Sequence, residues 1–130
     1  MINILNNYDK FTTKMSINNM NINGVLDLSK FTRLESLRCS SNNITEIINY
    51  PETLKYLNCS NNKISKLCNL PKGILYIDCS NNKITEINNL DQIQKIYILN
   101  CSNNLISKLD NLQKNNNIKI LNCVNNKIIN

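Results

Sequence analysis

Apolar and polar residues alternate over short stretches that recur along the chain. From Leu54 the sequence reads LKYLNCSNNKI, in which Leu57 and Cys59 would face one side of an extended segment, and Tyr56 and Asn58 the other. Related stretches begin at positions 34, 74, 96 and 118. Alternation with a period of two residues predicts a short strand with one buried face in each stretch.

Cysteine marks the same place in every copy, and successive copies of it are separated by 20, 20, 22 and 22 residues. Each unit fits the pattern L-x-x-L-x-C-x-x-N-x-I, with Ile in place of Leu at some positions. One unit buries too little apolar surface to be stable alone, so the units must stack and their strands form one parallel sheet. The cysteines at this position, predicted to be buried, are Cys39, Cys59, Cys79, Cys101 and Cys123.

This pattern resembles the consensus of leucine-rich repeats, with Cys in a slot often filled by Leu. The resemblance covers about residues 34–130. Units containing Pro51 and Pro71 resemble the 20-residue class found in bacterial effectors, and the later units, with Leu90 and Leu112, resemble the 22-residue class. The resemblance implies an α/β fold: a right-handed solenoid shaped as a horseshoe arc. The parallel sheet would line its concave face, and short 3-10 or irregular segments its convex face.

The chain of 130 residues suits a single domain. We divide it into an N-terminal cap, a degenerate repeat, four full repeats and an incomplete last repeat. In that order the predicted segments are 1–11, 12–33, 34–53, 54–73, 74–95, 96–117 and 118–130.

The first residues carry their own apolar pattern. Ile4, Tyr8, Phe11 and Met15 recur at steps of four, three and four, which predicts a short helix in the cap. The degenerate repeat keeps apolar residues in most of its slots, but Met20 stands where the other units have Asn. An atypical unit of this kind suits a position beside a cap.

An asparagine follows each strand at a fixed position. The chain has only two Gly, so another residue must form the turn out of each strand. A side-chain amide both donates and accepts hydrogen bonds, so each Asn can bond backbone groups of its own turn and of the next unit. We therefore predict that Asn82→Ala destabilises far more than Asn81→Ala. The residues of this predicted structural ladder are Asn42, Asn62, Asn82, Asn104 and Asn126.

The cysteine column favours packing over chemistry. Side chains on neighbouring parallel strands keep their Cβ atoms about 4.8 Å apart, beyond disulfide geometry, and thiols strung along a solenoid cannot converge on zinc. Cys68 lies outside the column and is predicted to be the only accessible thiol. Lys66 and Lys72 are near it in sequence, which is weak support for a reactive thiolate. We expect no metal and no cofactor.

Enzyme chemistry lacks its usual residues, because there is no His, no Gly-rich phosphate loop and no repeated pair of carboxylates. Residues 1–11 do not read as a signal peptide and no apolar run reaches membrane-spanning length, so a cytoplasmic location is expected. The bias toward Asn, Ile and Lys resembles leucine-rich-repeat proteins of large DNA viruses of amoebae or of AT-rich protists. That resemblance would imply a host cytoplasm.

The residues that packing does not fix are the candidates for function. On the predicted concave face they form an apolar and aromatic strip beside a polar row, which favours a protein partner. Ordinary sheet propensity of aromatic and β-branched residues is the alternative explanation of the strip. The strip comprises Tyr56, Tyr76, Tyr97, Leu75 and Ile98, and the polar row includes Arg38, Asn58, Asp78, Asn100 and Asn122.

Two other functions stay open. The net charge of +6 and the shared turn position of Lys63, Lys83 and Lys127 would suit nucleic acid or another polyanion, although Glu46 and Glu86 interrupt the field. The last strand would have an unpaired edge, which suggests homo-oligomers formed through that strand. Alternatively, the C-terminus folds back as its own lid.

Overall fold

A six-stranded parallel sheet, with one short strand from each unit, dominates the fold. The computed structural model describes residues 4–109, 112 and 117–129. Leu37, Leu57 and Ile77 stand directly opposite one another on successive strands, so the units stack without slippage. The parallel solenoid expected from the repeat is therefore confirmed. In sheet order the strands are β1 (Lys14–Ser16), β3 (Ser36–Arg38), β5 (Tyr56–Asn58), β7 (Tyr76–Asp78), β9 (Ile98–Asn100) and β10 (Ile120–Asn122).

The returning segments are more regular than the sequence predicted. A 3-10 helix forms at Leu90–Gln92, but two pairs of short parallel strands also form. In the segment Asn43–Ile48, Ile44 and Ile47 are buried while the residues between them are exposed. This segment pairs with its equivalent in the preceding unit. The paired strands are β2 (Asn23–Asp27) with β4 (Asn43–Ile48), and β6 (Lys66–Leu67) with β8 (Glu86–Ile87).

The core lies between the six-stranded sheet and the returning segments. The central residue of each inner strand, such as Leu57, is fully buried. Ile64, Leu67 and Leu70 return beneath β5 and are also buried. Burying a Leu or Ile side chain contributes about 1.5 to 3 kcal/mol, so these layers supply most of the stability. Within the described residues, no helix is long and apolar enough to cross a bilayer.

The N-terminal segment differs from the expected helix. A single 3-10 turn spans Ile4–Asn7, Phe11 is 54% exposed, and Met15 lies inside β1 rather than on a helix face. The strand wins because it pairs in register with β3 and buries Met15 in the core. Tyr8 instead covers the edge of β1, where its hydroxyl donates a 3.0 Å hydrogen bond to the Ser16 carbonyl oxygen.

The hydrogen bond from Tyr8 to the Ser16 carbonyl takes the place of a backbone hydrogen bond that a preceding repeat makes elsewhere in the sheet. The equivalent carbonyl of β5, on Asn58, accepts a bond from the Cys39 N–H of the preceding unit. We expect Tyr8→Phe to lower the free energy of unfolding by about 1 kcal/mol, because the Ser16 carbonyl loses its partner while the packing of the ring is kept. Urea denaturation measures this change. An unchanged midpoint with an unchanged slope would contradict it.

At the opposite edge of the described sheet, β10 pairs with β9 and with no other described strand. Leu121 occupies the slot that is fully buried in the inner strands, yet it is 44% exposed, because none of the described strands packs beyond β10. Ile120 and Ile129 are 57% and 87% exposed. Self-association through this strand stays a prediction, and so does the alternative of a C-terminal lid.

Candidate functional site

Each ladder asparagine connects two units through its amide group. The Asn62 Nδ2 donates to the carbonyl oxygens of Cys59 and Ser60 in its own turn, at 3.1 and 3.2 Å. It also donates to the Cys39 carbonyl at 3.0 Å, while its Oδ1 accepts from the Ile44 N–H at 3.0 Å. Equivalent bonds are made by Asn42, Asn82, Asn104 and Asn126.

The unit bonded in this way is the preceding one, not the next one as the sequence suggested. The Ile44 N–H is directed at the following unit, so the amide of Asn62 reaches backward to meet it. The same direction explains Met20. No repeat precedes its unit in the described sheet, so an amide at Met20 would have no earlier backbone to bond.

The tight turn itself belongs to the residue just before each ladder asparagine. Asn81, for example, has φ of 55°, in the left-handed region that Asn tolerates better than most residues. The prediction that the ladder residue itself forms this turn is wrong for the backbone, because the positive φ belongs to the residue before it. The equivalent positive-φ residues are Ser41, Asn61, Asn103 and Asn125.

Three residues of the predicted strip lie along one side of the six-stranded sheet, which we call the solvent face. Tyr56, Tyr76 and Ile98 are aligned on neighbouring strands. The two tyrosine rings stack with centroids 4.4 Å apart and planes 9° apart, and the Arg38 guanidinium carbon lies 5.1 Å from the Tyr56 centroid. Burial is the main cause that raises the pKa of Tyr76, and the nearby Tyr56 adds to it. The aromatic part of the strip is thus a preformed stack.

Two further strip residues stand one position before these strands. The backbone N–H of Tyr97 donates to the Leu75 carbonyl at 3.0 Å, which brings the two residues side by side. Tyr97 is 45% exposed and Leu75 is half-buried. The row also extends to Ile120, aligned with Ile98 on the last described strand. All five strip residues therefore lie on adjoining units.

The polar row also caps the turns that follow the strands, a role that was not predicted from the sequence. The Asn58 Oδ1 accepts from the N–H and hydroxyl of Ser60, at 3.1 and 2.7 Å. Asp78 bonds Ser80 in the same way, so the residue at this position supplies an acceptor oxygen to the turn in both units. The recurrence of Ser two residues after the row was the sequence signal for this turn. Asn100 and Asn122 also cap the N–H two residues on.

Comparison with known proteins supports the fold. No protein-family model and no curated protein sequence matches the chain. Among solved structures, it is similar to YopM from Yersinia enterocolitica WA-314, with 29% identity and a TM-score of 0.68 over 76% of this chain. It is also similar to the functional domain of InlJ from Listeria monocytogenes, with 28% identity and a TM-score of 0.61 over 89% of this chain. The fold is a leucine-rich-repeat solenoid.

This leucine-rich-repeat solenoid spans only 21% of the YopM chain and 30% of the InlJ chain. The InlJ domain is described as including a cysteine ladder. Here Cys39, Cys59, Cys79 and Cys101 are completely buried on successive units, and all are free thiols. Burial raises the pKa of Cys39 and Cys101 to about 12.

Cys68 is not the only accessible thiol of the solenoid. It is half-buried, and so is Cys123, because no further strand covers the last described unit. The Asn69 Nδ2 lies 4.0 Å from the Cys68 Sγ. Over the part of the chain that the structure describes, no group of three or more His, Cys, Asp or Glu side chains could hold a metal ion.

The lysines of the turn edge follow the solenoid repeat. Lys63, Lys83 and Lys127 each donate a backbone bond to the preceding unit, and all three are exposed. On the returning segments, the Lys66 Nζ lies 3.9 Å from Glu86 Oε1, with both side chains more than half exposed. A surface pair of this kind contributes at most about 1 kcal/mol, but it offsets positive charge near the turn edge.

Proposed function

We propose that the chain is a non-enzymatic protein-interaction module that binds its partner on the solvent face. The observation that carries this proposal is the stack of the Tyr56 and Tyr76 rings, in register with Ile98 on the next strand. The exposed Tyr97 directly precedes Ile98 in the chain. Repeat solenoids use extended sheet faces of this kind for binding. The polar row, including Asn58, Asp78 and Asn100, borders the strip, as expected of an interface with an apolar centre.

Several features support binding over simple sheet propensity. Propensity accounts for an aromatic residue in a strand, but Tyr97 lies one position before β9 and is still left 45% exposed. Stacking fixes the Tyr56 and Tyr76 rings before a partner arrives, so little side-chain entropy is lost on binding. Tyrosine is also enriched among the residues that dominate binding energy.

The test compares the native chain with a triple variant, Tyr56→Ala, Tyr76→Ala and Tyr97→Ala. Because hot-spot residues dominate affinity, we expect the partner retained from a host lysate to bind this variant about 100-fold or more weakly. Affinity is then measured by calorimetry with the purified partner.

A matched control removes three exposed apolar side chains outside the strip: Phe11→Ala, Val25→Ala and Leu105→Ala, which are 54%, 54% and 41% exposed. The control should bind like the native chain. Equal retention by all three proteins would refute the proposed face. Retention of nucleic acid, with affinity falling steeply as salt rises, would instead favour the edge that carries Lys63, Lys83 and Lys127.

A further inference from the structure

Arg38 breaks a structural pattern on the solvent face. In the next three units the equivalent position holds an acceptor that caps a serine two residues later, as Asn58 caps Ser60. Arginine cannot do this, and Ser40 obtains its acceptor from Asn18 of the preceding unit, at 2.8 Å from its N–H and 2.9 Å from its hydroxyl. The turn is thereby completed without Arg38, whose guanidinium lies over the Tyr56 ring.

Asp78 carries a charge that its structural duty does not need. Its Oδ1 caps Ser80 at 3.1 and 2.7 Å, and the neutral amides of Asn58 and Asn100 cap their own serines with nearly equal distances. The second carboxylate oxygen is not required by the turn. Among the described residues, no cationic side chain forms an ion pair with Asp78.

The hydrogen-bonding groups that the polar row leaves for a partner therefore differ from strand to strand. The Oδ1 atoms of Asn58 and Asn100 are occupied by the turn, so their Nδ2 groups remain as donors. Asp78 keeps its second carboxylate oxygen as an acceptor. Arg38 and Asp78 lie two strands apart on β3 and β7, which corresponds to about 10 Å. The two charges are too far apart to neutralise each other directly, and both face the same side as the tyrosine stack.

We propose that Arg38 and Asp78 determine which partner the solvent face accepts. The occupant is a protein segment with a carboxylate opposite Arg38 and an ammonium or guanidinium group opposite Asp78, with an apolar side chain over Ile98. This proposal rests on the proposed function and adds the charge pattern of the partner. The two charges would be about three residues apart in an extended segment and about seven in a helix.

The experiment selects binders from a phage-displayed library of random peptides against the full chain. Affinities of the enriched peptides are then measured for Arg38→Gln and Asp78→Asn. The second change keeps the oxygen that caps Ser80, so the fold is retained. Controls remove the same charges elsewhere, with Lys63→Gln at the turn edge and Glu46→Gln on β4, and melting temperatures establish that each variant is folded.

We expect enriched peptides to share an acidic and a basic residue at one of these separations, and each of Arg38→Gln and Asp78→Asn to weaken binding about tenfold or more. The controls should bind like the native chain. Peptides that lack the charge pair, or that bind both variants unchanged, would overturn this inference. If they still lose affinity for the triple tyrosine variant, the proposed function survives. An absence of enriched peptides, or binding indifferent to that variant, would count against both.

Discussion

Replacing Asn82 with alanine is expected to lower the free energy of unfolding by about 3 to 5 kcal/mol, because several backbone groups lose their partners at once. Its Nδ2 donates to the carbonyl oxygens of Cys59, Cys79 and Ser80, at 3.0, 3.1 and 3.2 Å. Its Oδ1 accepts from the Ile64 N–H at 2.9 Å. Water cannot replace these contacts fully inside the stack. Urea denaturation followed by circular dichroism measures the loss.

The neighbouring residue provides the comparison. Asn81 has φ of 55°, so Asn81→Ala should cost about 1 kcal/mol through backbone strain. Asn81→Gly should cost less than Asn81→Ala, because Gly adopts this conformation freely. A loss at Asn82→Ala no larger than that at Asn81→Ala would show that the amide bonds contribute little.

Alkaline pH is expected to unfold the protein through its buried thiols. Burial raises the pKa of Cys39 and Cys101 to about 12, and it also raises the pKa of Cys59 and Cys79 well above the usual range. An unfolded cysteine has a pKa of about 8.5. Above that pH the unfolded chain binds fewer protons than the folded chain, so stability falls as pH rises. Below it, the contribution of these thiols to stability is fully present.

Each such thiol removes about 1.4 kcal/mol of stability per pH unit once its unfolded form has ionised, so the four together remove about 5 kcal/mol per unit. We expect unfolding about one to three pH units above pH 8.5, since domains are stable by only about 5 to 15 kcal/mol. The buried Tyr50 phenol, whose pKa is also raised, acts in the same direction.

Free energies of unfolding measured between pH 7 and the transition, with a reducing agent present, test this expectation. The single variant Cys59→Ala should reduce the slope of stability against pH by about a quarter, because one of four thiols no longer titrates. A flat profile in the native chain, or an unchanged slope in the variant, would show that the thiols do not govern alkaline stability.

The repeat made most of the fold predictable. Positions such as Leu57 and Cys59 recur with spacings that only a stacked parallel sheet satisfies, and both are completely buried. The structure also aligns Tyr56, Tyr76 and Ile98 as the spacing implied. Periodicity is informative here because every unit must bury the same side chains against its neighbours.

Features that depend on backbone direction were not predictable in this way. The sequence shows that Asn62 is repeated, but not that its amide bonds the preceding unit, since that depends on where the Ile44 N–H points. Adjacent asparagines also look equivalent until φ distinguishes them, as at Asn81. The capping duty of Asn58 requires the side-chain oxygen and Ser60 to meet in space. The sequence pattern predicts which face of a strand a side chain occupies, whereas the role of each asparagine depends on the geometry of its hydrogen bonds.

The backward direction of the ladder has a consequence for synthesis on the ribosome. The Ile44 N–H donates to the Oδ1 of Asn62, and the Cys39 N–H donates to the carbonyl oxygen of Asn58, so both bonds come from the following unit. A nascent chain leaves the ribosome N-terminus first. The backbone groups of its newest unit therefore lack these partners until the following unit has been made. The hydrogen bonds of each unit are completed only when the next repeat has folded onto it. The growing end therefore stays the least stable part, and the units fold in step with translation.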